Sequence, residues 1–298
     1  MKKSIIIAGP TASGKSALSI GIAEKFGGEI INADSVAVYK GFDIGAAKPS
    51  DEEKNTVPHH LFDLFESHED CDAGLYAKLA KQKIKEISDR GNTPIIVGGT
   101  GLYLRALLGE SFHDLPHDPE VRAQLTSKPK EELFELLSLN DPERAKELHP
   151  NDHFRLARAL EIFFITGKTM AELTKENPKS DPIDHIFIAL EPGREDLLKR
   201  IEKRTRQMIR KGLVEEVRGL LSKGVKKDDK PMQSIGYKEV IDFLDAGEND
   251  WAELEERINI STRQFARRQV TWFKKVRKDL HFEYPDLEKT LSYLDGKI

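Results

Sequence analysis

Apolar positions along the chain change their period several times, and each change marks a different kind of element. Ser4–Ala8 is a short run of mostly β-branched residues, and residues 17–26 then carry apolar side chains at helical spacing. Residues 29–33 and 94–97 repeat the short apolar run, and an amphipathic stretch at 76–90 leads into the second of them. Strands that alternate with helices in this way predict βαβ units and a buried parallel sheet, which is an α/β core.

The strand signal disappears from about residue 114 onward, and helical periodicity takes its place. The predicted helices there are residues 120–126, 131–139, 142–148 and 154–165. Residues 186–190 then have the pattern of another core strand, and helices follow from residue 194 until a last strand signal at 281–284. The sequence therefore predicts a core domain, residues 1–113 and 181–298, interrupted by an all-helical insertion domain, residues 114–180.

The segment between the first strand and the first helix has the spacing of a P-loop. Gly9 and Gly14 flank four residues, and Lys15 and Ser16 follow directly. Inward backbone N–H groups and the helix N-terminus attract phosphate oxygens, Lys15 neutralises their charge, and Ser16 can reach a Mg²⁺ ion. The predicted phosphate-binding residues are Gly9, Pro10, Thr11, Ala12, Ser13, Gly14, Lys15 and Ser16. Taken alone, the motif favours a P-loop NTPase-like fold and a nucleotide kinase or NTPase.

Asp34 follows the second predicted strand, at the edge where open α/β sheets bind their ligands. Its carboxylate can hold magnesium through water or accept a proton from a nucleophile. Capping of a turn is the structural alternative for an Asp-Ser pair at the end of a strand.

Charge is unevenly distributed. The chain has a formal net charge of −4, yet residues 257–278 contain eight Lys or Arg and no Asp or Glu. A helix of that length would be about 33 Å long, enough to follow the phosphates of an RNA stem. We expect Phe265, Trp272 and Val276 to anchor this helix. The cations expected to point outward are Arg263, Arg267, Arg268, Lys274 and Lys275.

Cys71 is the only cysteine, which excludes a disulfide framework and a cysteine-rich zinc site and favours a cytoplasmic location. No run of apolar residues is long enough for a membrane span, so no membrane association is expected. The adjacent His59 and His60 lack partner ligands, which favours structural roles over metal binding.

Motifs along nearly the whole chain resemble, in the same order, those of the bacterial tRNA dimethylallyltransferases (isopentenyl-tRNA transferases). They are residues 34–40, 43–49, 57–63, 97–103, 155–161, 235–239 and 262–273. The resemblance implies transfer of a dimethylallyl group from dimethylallyl diphosphate to N6 of the adenosine 3′-adjacent to the anticodon. The P-loop would then hold an isoprenoid diphosphate and not a nucleoside triphosphate.

The same resemblance implies roles for individual residues. Asp34 matches the catalytic base, Thr100 a residue beside the bridging oxygen, and Arg204 a diphosphate ligand that acts with Lys15 and Mg²⁺ on Ser16. The residues expected to contact the tRNA anticodon stem-loop are Asp34, Ser35, Val36, Ala37, Thr100, Arg122, Phe154, Arg155, Leu156, Ala157, Arg158, Arg263, Arg267 and Arg268. Without the resemblance, a surface charge is the alternative for Arg122 and Arg204, and a helix N-cap for Thr100. A monomer is expected.

Ala37 and Ala46 depart from the family pattern, which usually has Gln and Thr there, and Phe154 replaces a commonly polar residue. The missing amide puts the strictness of RNA recognition in question. One alternative function is an adenylate isopentenyltransferase or, more distantly, a P-loop small-molecule kinase, and the basic stretch argues against both. The other is a non-catalytic P-loop RNA-binding protein, which would not need Asp34.

Overall fold

The first strand, β1 (Ser4–Ala8), is buried at all five positions, as expected at the centre of a sheet covered on both faces. The other strands are β2 (Gly28–Asn32), β3 (His59–His60), β4 (Thr93–Gly98), β5 (His185–Leu190) and β6 (Leu280–Phe282). They form one six-stranded sheet in the order β3-β2-β4-β1-β5-β6. Every pairing is parallel, so the predicted α/β class is confirmed.

The computed structural model describes residues 2–109, 115–176 and 182–298. The chain divides into a sheet unit, Met1–Leu107 with Ile183–Ile298, and a helical unit, Leu108–Pro182. The domain limits predicted from the sequence, at 113/114 and 180/181, fall at residues outside the described ranges.

Helices of the sheet unit follow its strands and cover them. Those before the helical unit are α1 (Lys15–Phe26), α2 (Asp51–Thr56), α3 (Ala73–Asp89) and α4 (Gly101–Leu107). Gly14 and Gly27 flank α1 with φ values of 95° and 58°, a backbone region that favours glycine. Between them, Leu18 and Ile22 face the sheet and join its apolar core.

The helical unit contains α5 (Pro119–Thr126), α6 (Lys130–Asn140), α7 (Pro142–Glu147), α8 (His153–Thr166) and α9 (Met170–Glu176). Its core is built from leucines at helical spacing, including Leu133 and Leu137 of α6 with Leu156 and Leu160 of α8. The described residues of this unit include no strand, as the sequence predicts.

The chain returns to the sheet unit through β5, and its described part then has five further α-helices and a short 3₁₀ helix, Lys230–Gln233. The α-helices are α10 (Arg194–Arg210), α11 (Leu213–Ser222), α12 (Tyr237–Asp245), α13 (Trp251–Phe273) and α14 (Leu287–Leu294). None of the helices in the described ranges is both long and apolar enough to cross a membrane.

The basic stretch 257–278 was predicted to be one helix, and this is wrong at its C-terminal end. α13 ends at Phe273, because the chain must turn to bring β6 beside β5. The backbone N–H of Asp279 then donates to the carbonyl of Phe187, and Lys278 forms an ion pair with Glu191. The residues that α13 buries are shifted from the predicted anchor and include Ala266, Gln269 and Phe273.

Candidate active site

A cleft of about 920 Å³ opens at the carboxyl ends of β1, β2 and β4, the edge where the fold class places ligands. The P-loop lines it, together with the segments that follow β2 and β4 and with side chains of α10 and α13. All of these elements belong to the sheet unit. The predicted catalytic residues that line this cleft are Lys15, Asp34, Thr100 and Arg204.

The P-loop is tightly packed against its neighbours. A Cβ atom on Gly9 would come within 2.6 Å of the Leu190 carbonyl, so only glycine fits at this position. The Lys15 ammonium donates to the carbonyls of Gly9 at 3.0 Å and Pro10 at 2.7 Å, which holds it inside the loop. Ser16, the next residue, is exposed at the start of α1.

Three charged groups of the cleft influence one another. The pKa of Lys15 is lowered to about 7, first by desolvation and second by the positive charge of Arg204, while the negative charge of Asp34 opposes both effects. Burial also lowers the pKa of Arg204, and Asp34 again opposes the shift. The structure therefore brings together the base and the two cations that the sequence predicted as catalytic.

The Asp34 carboxylate is fixed in position by its own backbone turn. Its Oδ1 accepts hydrogen bonds from the N–H groups of Val36 at 2.9 Å and Ala37 at 3.3 Å. Asn32 holds the other side of the turn, because its Oδ1 accepts from the N–H of Asp34 at 2.9 Å. The predicted turn-capping role is thus real, and it occupies one oxygen of the carboxylate. Since no described residue donates to Oδ2, that oxygen remains available for proton transfer.

Thr100 lies beside Asp34 because the ends of β2 and β4 approach each other closely. A Cβ atom on Gly98 would come within 2.1 Å of the Ala33 carbonyl oxygen. The Thr100 N–H donates to that same carbonyl at 3.3 Å, and its Oγ1 accepts from the N–H of Ser35 at 3.0 Å. The hydroxyl therefore fixes the segment that carries Asp34, a contact that neither the N-cap nor the leaving-group interpretation predicted.

Gln269 of α13 is a site residue whose role the sequence did not reveal. It is 7% exposed. Its Oε1 accepts from the Thr11 N–H at 2.9 Å, and its Nε2 donates to the Gly99 carbonyl at 2.8 Å. One side chain thus ties the P-loop to the segment after β4. The available signal was a polar residue on the apolar stripe of a helix.

Glu216 of α11 orders another wall of the cleft. Its carboxylate accepts from the N–H groups of Asp43 at 3.1 Å, Ile44 at 2.8 Å and Gly45 at 3.2 Å. The Tyr237 hydroxyl donates to the same carboxylate at 2.6 Å. This loop continues into Ala46, which lines the cleft. Nothing in the sequence distinguishes Glu216 from the glutamate beside it.

The arginines of α13 differ in their environment. Arg263, predicted to face RNA, forms ion pairs with Glu202 at 3.0 Å and Glu256 at 3.1 Å. Arg267 and Arg268 are exposed, and Arg268 also lines the cleft. The charge of Arg263 is therefore largely compensated, whereas the other two remain open to an anion.

In the helical unit, the predicted RNA-binding arginines surround a buried carboxylate. Arg122 and Arg158 both donate to the Glu161 carboxylate, at 2.8 Å and 2.7 Å respectively. Glu161 itself is fully buried. Burial opposes ionisation of Glu161, but hydrogen bonds from Arg158 and His117 hold its pKa below the usual value. Both arginines thus have a structural partner.

The stretch 154–158 divides into exposed and buried positions. Phe154 is 69% exposed, and the Arg122 guanidinium lies 5.0 Å from the centre of its ring. Arg155 is exposed as well. Leu156 and Ala157 are fully buried in the core of the helical unit, which argues against direct RNA contacts by their side chains. Helical periodicity turns these two positions inward.

The adjacent histidines have structural contacts. His59 Nδ1 lies 2.8 Å from the Val57 carbonyl, and His60 Nε2 lies 2.5 Å from a carboxylate oxygen of Glu29. In the described ranges, no group of three or more His, Cys, Asp or Glu residues is placed to hold a metal ion.

Comparison with known proteins agrees with this geometry. The sequence profile of IPP transferase matches residues 37–276. The chain belongs to this family. The tRNA dimethylallyltransferase 1 of Citrifermentans bemidjiense is 45% identical, over 95% of this chain and 92% of the relative. The tRNA dimethylallyltransferase of Geobacter sulfurreducens is 44% identical, over 99% and 96%.

Solved structures of IPP transferase family members have the same fold. The tRNA isopentenylpyrophosphate transferase of Bacillus halodurans is 35% identical with a TM-score of 0.72, covering 99% of this chain and 94% of that one. A eukaryotic dimethylallyltransferase acting on tRNA is 31% identical with a TM-score of 0.80, covering 100% and 76%. The predicted family is confirmed, and with it the predicted function, N6-dimethylallylation of an adenosine in tRNA.

Proposed function

We propose that dimethylallyl diphosphate is the donor and that its diphosphate binds the P-loop of the cleft, residues 9–16. The observation that carries this proposal is the convergence of Lys15, Arg204 and Asp34 on one cleft behind that loop. Two cations suit a diphosphate, and a carboxylate near them with one oxygen outside the turn suits an acceptor that must lose a proton. The acceptor is the N6 amine of the adenosine 3′-adjacent to the anticodon.

Magnesium fits the same site. The exposed hydroxyl of Ser16 and the oxygens of a bound diphosphate are hard ligands, and Mg²⁺ commonly takes one or two protein oxygens together with substrate phosphates. Few protein ligands are needed, which agrees with the lack of a carboxylate cluster in the described ranges. When bound, Mg²⁺ neutralises charge on the leaving diphosphate.

The residues of the cleft have two tasks in this reaction. They stabilise charge on the leaving diphosphate, and they accept a proton from the attacking amine. As the allylic C–O bond breaks, negative charge grows on the diphosphate, and Lys15 and Arg204 stabilise it with the P-loop amides. The N6 lone pair is delocalised into the purine, so the amine needs a base. Asp34 Oδ2 orients the amine and accepts its proton while the C–N bond forms. Thr100 holds the Asp34 segment in place through Ser35.

The RNA contacts proposed for this enzyme are those members of the predicted set that are exposed or line the cleft. The target base must leave its stack to reach Asp34, as base-modifying enzymes generally require. Ser35 and Val36 line the cleft where that base would lie, and Ala37 lines it although its side chain is 2% exposed. The residues proposed to hold the anticodon stem-loop are Phe154, Arg155, Arg267 and Arg268. We propose that the enzyme acts as a monomer.

The test is transfer of labelled dimethylallyl to unmodified total tRNA, with AMP and ATP as competing acceptors. We expect label on tRNA alone, and label on AMP alone would favour the free-nucleotide enzyme. Asp34→Asn keeps an oxygen to accept from Val36 and Ala37 but cannot take a proton. We expect it to lower the transfer rate by about 10²-fold or more while tRNA binding stays within about twofold. An unchanged rate in this variant would exclude Asp34 as the base.

A further inference from the structure

One face of α10 is unusually positive where it borders the cleft. The cleft-lining cations of this helix and its C-terminal cap are Arg200, Lys203, Arg204 and Lys211. They recur at intervals of three, four and seven residues, so they share one side of the helix. None of the α10 residues that line the cleft is acidic.

Ion pairing separates this face from the rest of α10. Arg206 lies 3.0 Å from Glu255, and Glu202 lies 3.0 Å from Arg263. Lys203 and Lys211 are exposed, and neither has a carboxylate within 4 Å in the described part of the chain. Their charge is therefore uncompensated, unlike that of Arg206 on the same helix.

The spacing of the two lysines indicates the kind of anion they face. They lie eight positions apart, which is about 12 Å along the helix axis, further than one diphosphate extends. Arg204, between them, is half-buried, and burial lowers its pKa, whereas both lysines lie at the exposed rim. On α13, which packs against α10 through Ala266 and the Glu202–Arg263 ion pair, Arg268 adds a third exposed cation without a carboxylate partner among the described residues. Cations spread along a rim suit the successive phosphates of a polyanion.

We propose that Lys203 and Lys211, with Arg268, contact backbone phosphates of the tRNA whose adenosine enters the cleft. This rests on the proposed function, in which Lys15 and Arg204 hold the donor diphosphate. Lysine suits the role because it acts as a mobile point charge that follows a backbone and reads no base. The basic track thus runs on α10 as well as α13, and the Arg263 predicted from the sequence is not part of it.

The test measures tRNA binding as a function of salt for Lys203→Ala, Lys211→Ala and the double variant, at neutral pH and without donor. Each single substitution should weaken binding about 3- to 10-fold at low salt and reduce the slope of log K against log salt by about 1. Arg206→Ala is the matched control, because it removes an exposed cation of the same helix that Glu255 already pairs. It should leave both quantities unchanged.

Donor kinetics separate the two possible sources of phosphate. The KM for dimethylallyl diphosphate should stay unchanged in both lysine variants, while the KM for tRNA rises. A raised donor KM with an unchanged salt slope would assign the lysines to the diphosphate and overturn the proposal, and an unchanged slope with unchanged kinetics would overturn it as well.

A third readout distinguishes RNA binding from a contribution to folding. Lys211 caps the C-terminus of α10, where a positively charged side chain interacts favourably with the helix dipole. If Lys211→Ala shifted the Tm but left the salt slope unchanged, Lys211 would only stabilise the helix, and the proposal that it contacts tRNA would be refuted. The binding assay needs no turnover. If the wild-type enzyme transferred no group from dimethylallyl diphosphate, the proposed donor would be refuted, but the salt dependence of tRNA binding would still test the two lysines.

Discussion

The backbone N–H of Thr11 in the P-loop donates a 2.9 Å hydrogen bond to Oε1 of Gln269, a residue 258 positions later in the chain. The Gln269 amide also donates to the Gly99 carbonyl at 2.8 Å. The helix that carries the exposed Arg267 and Arg268 therefore also positions the loop proposed to hold the donor. The RNA contacts and the donor contacts proposed here therefore depend on one helix, α13.

Gln269→Leu should disorganise the donor site. It leaves the Thr11 N–H and the Gly99 carbonyl without their partner, at about 1–3 kcal/mol for each buried group. We expect kcat/KM for the donor to fall about tenfold or more, measured by steady-state kinetics at saturating tRNA. Gln264→Leu, at an exposed position of the same helix, is the control. A donor kcat/KM within twofold of wild type in Gln269→Leu would contradict this role.

Donor affinity should depend on pH through Lys15, whose pKa of about 7 results from desolvation and the nearby Arg204. A bound diphosphate favours the charged ammonium, so binding raises this pKa and takes up a proton above pH 7. Affinity is then greatest below pH 7 and falls by up to about tenfold per unit as the pH rises through 7 toward 9.

Calorimetry in buffers of different ionisation enthalpy measures this proton uptake directly. Lys15→Arg is the control, because arginine stays charged throughout the window and the ionisation of the diphosphate is common to both proteins. Equal slopes of affinity against pH in the wild type and Lys15→Arg would rule out Lys15 as the titrating group.

The loop that Glu216 anchors should lose its order without that carboxylate. Glu216→Ala removes the acceptor of three backbone N–H groups and of the Tyr237 hydroxyl, and should lower the free energy of unfolding by about 2–3 kcal/mol. Tyr237→Phe removes one of these bonds and should cost about 1 kcal/mol. Urea denaturation compares the two variants. Equal losses would mean that the loop contacts add nothing to stability.

Neighbouring positions of α8 should respond in opposite ways. Leu156→Ala opens a cavity in the core of the helical unit and should cost about 2–5 kcal/mol of stability. Phe154→Ala removes an exposed ring and should change stability by less than about 0.5 kcal/mol while weakening tRNA binding. Thermal unfolding measures the stability of both variants, and tRNA titration measures their affinity for tRNA. Unchanged tRNA affinity in Phe154→Ala would remove it from the proposed contacts.

Most of the elements that the sequence predicts depend on the spacing of residues close together in the chain. The P-loop, the strand that ends before Asp34 and the helices of the insertion are each encoded by neighbours within a few residues, and the structure has them. β3 escaped notice because two residues show no period. The order of the strands was also beyond reach, since pairing joins distant segments.

The positioning of the site escaped sequence reasoning for the same reason. Glu216 and Gln269 act on loops more than 150 residues earlier, and no local pattern identifies the partners of either side chain. The number of Lys and Arg residues in 257–278 indicates a basic surface. It does not show which of these cations form ion pairs with carboxylates and which have none. Arg263 has two glutamate partners, one of them on α10, a helix that the count did not include.

Gly98 allows the ends of β2 and β4 to approach each other closely. Because any side chain there would collide with the Ala33 carbonyl, replacements at this position would force apart the strand ends that carry Asp34 and Thr100. The spacing between β2 and β4, and with it the position of Asp34 beside Thr100, therefore depends on the absence of a side chain at position 98.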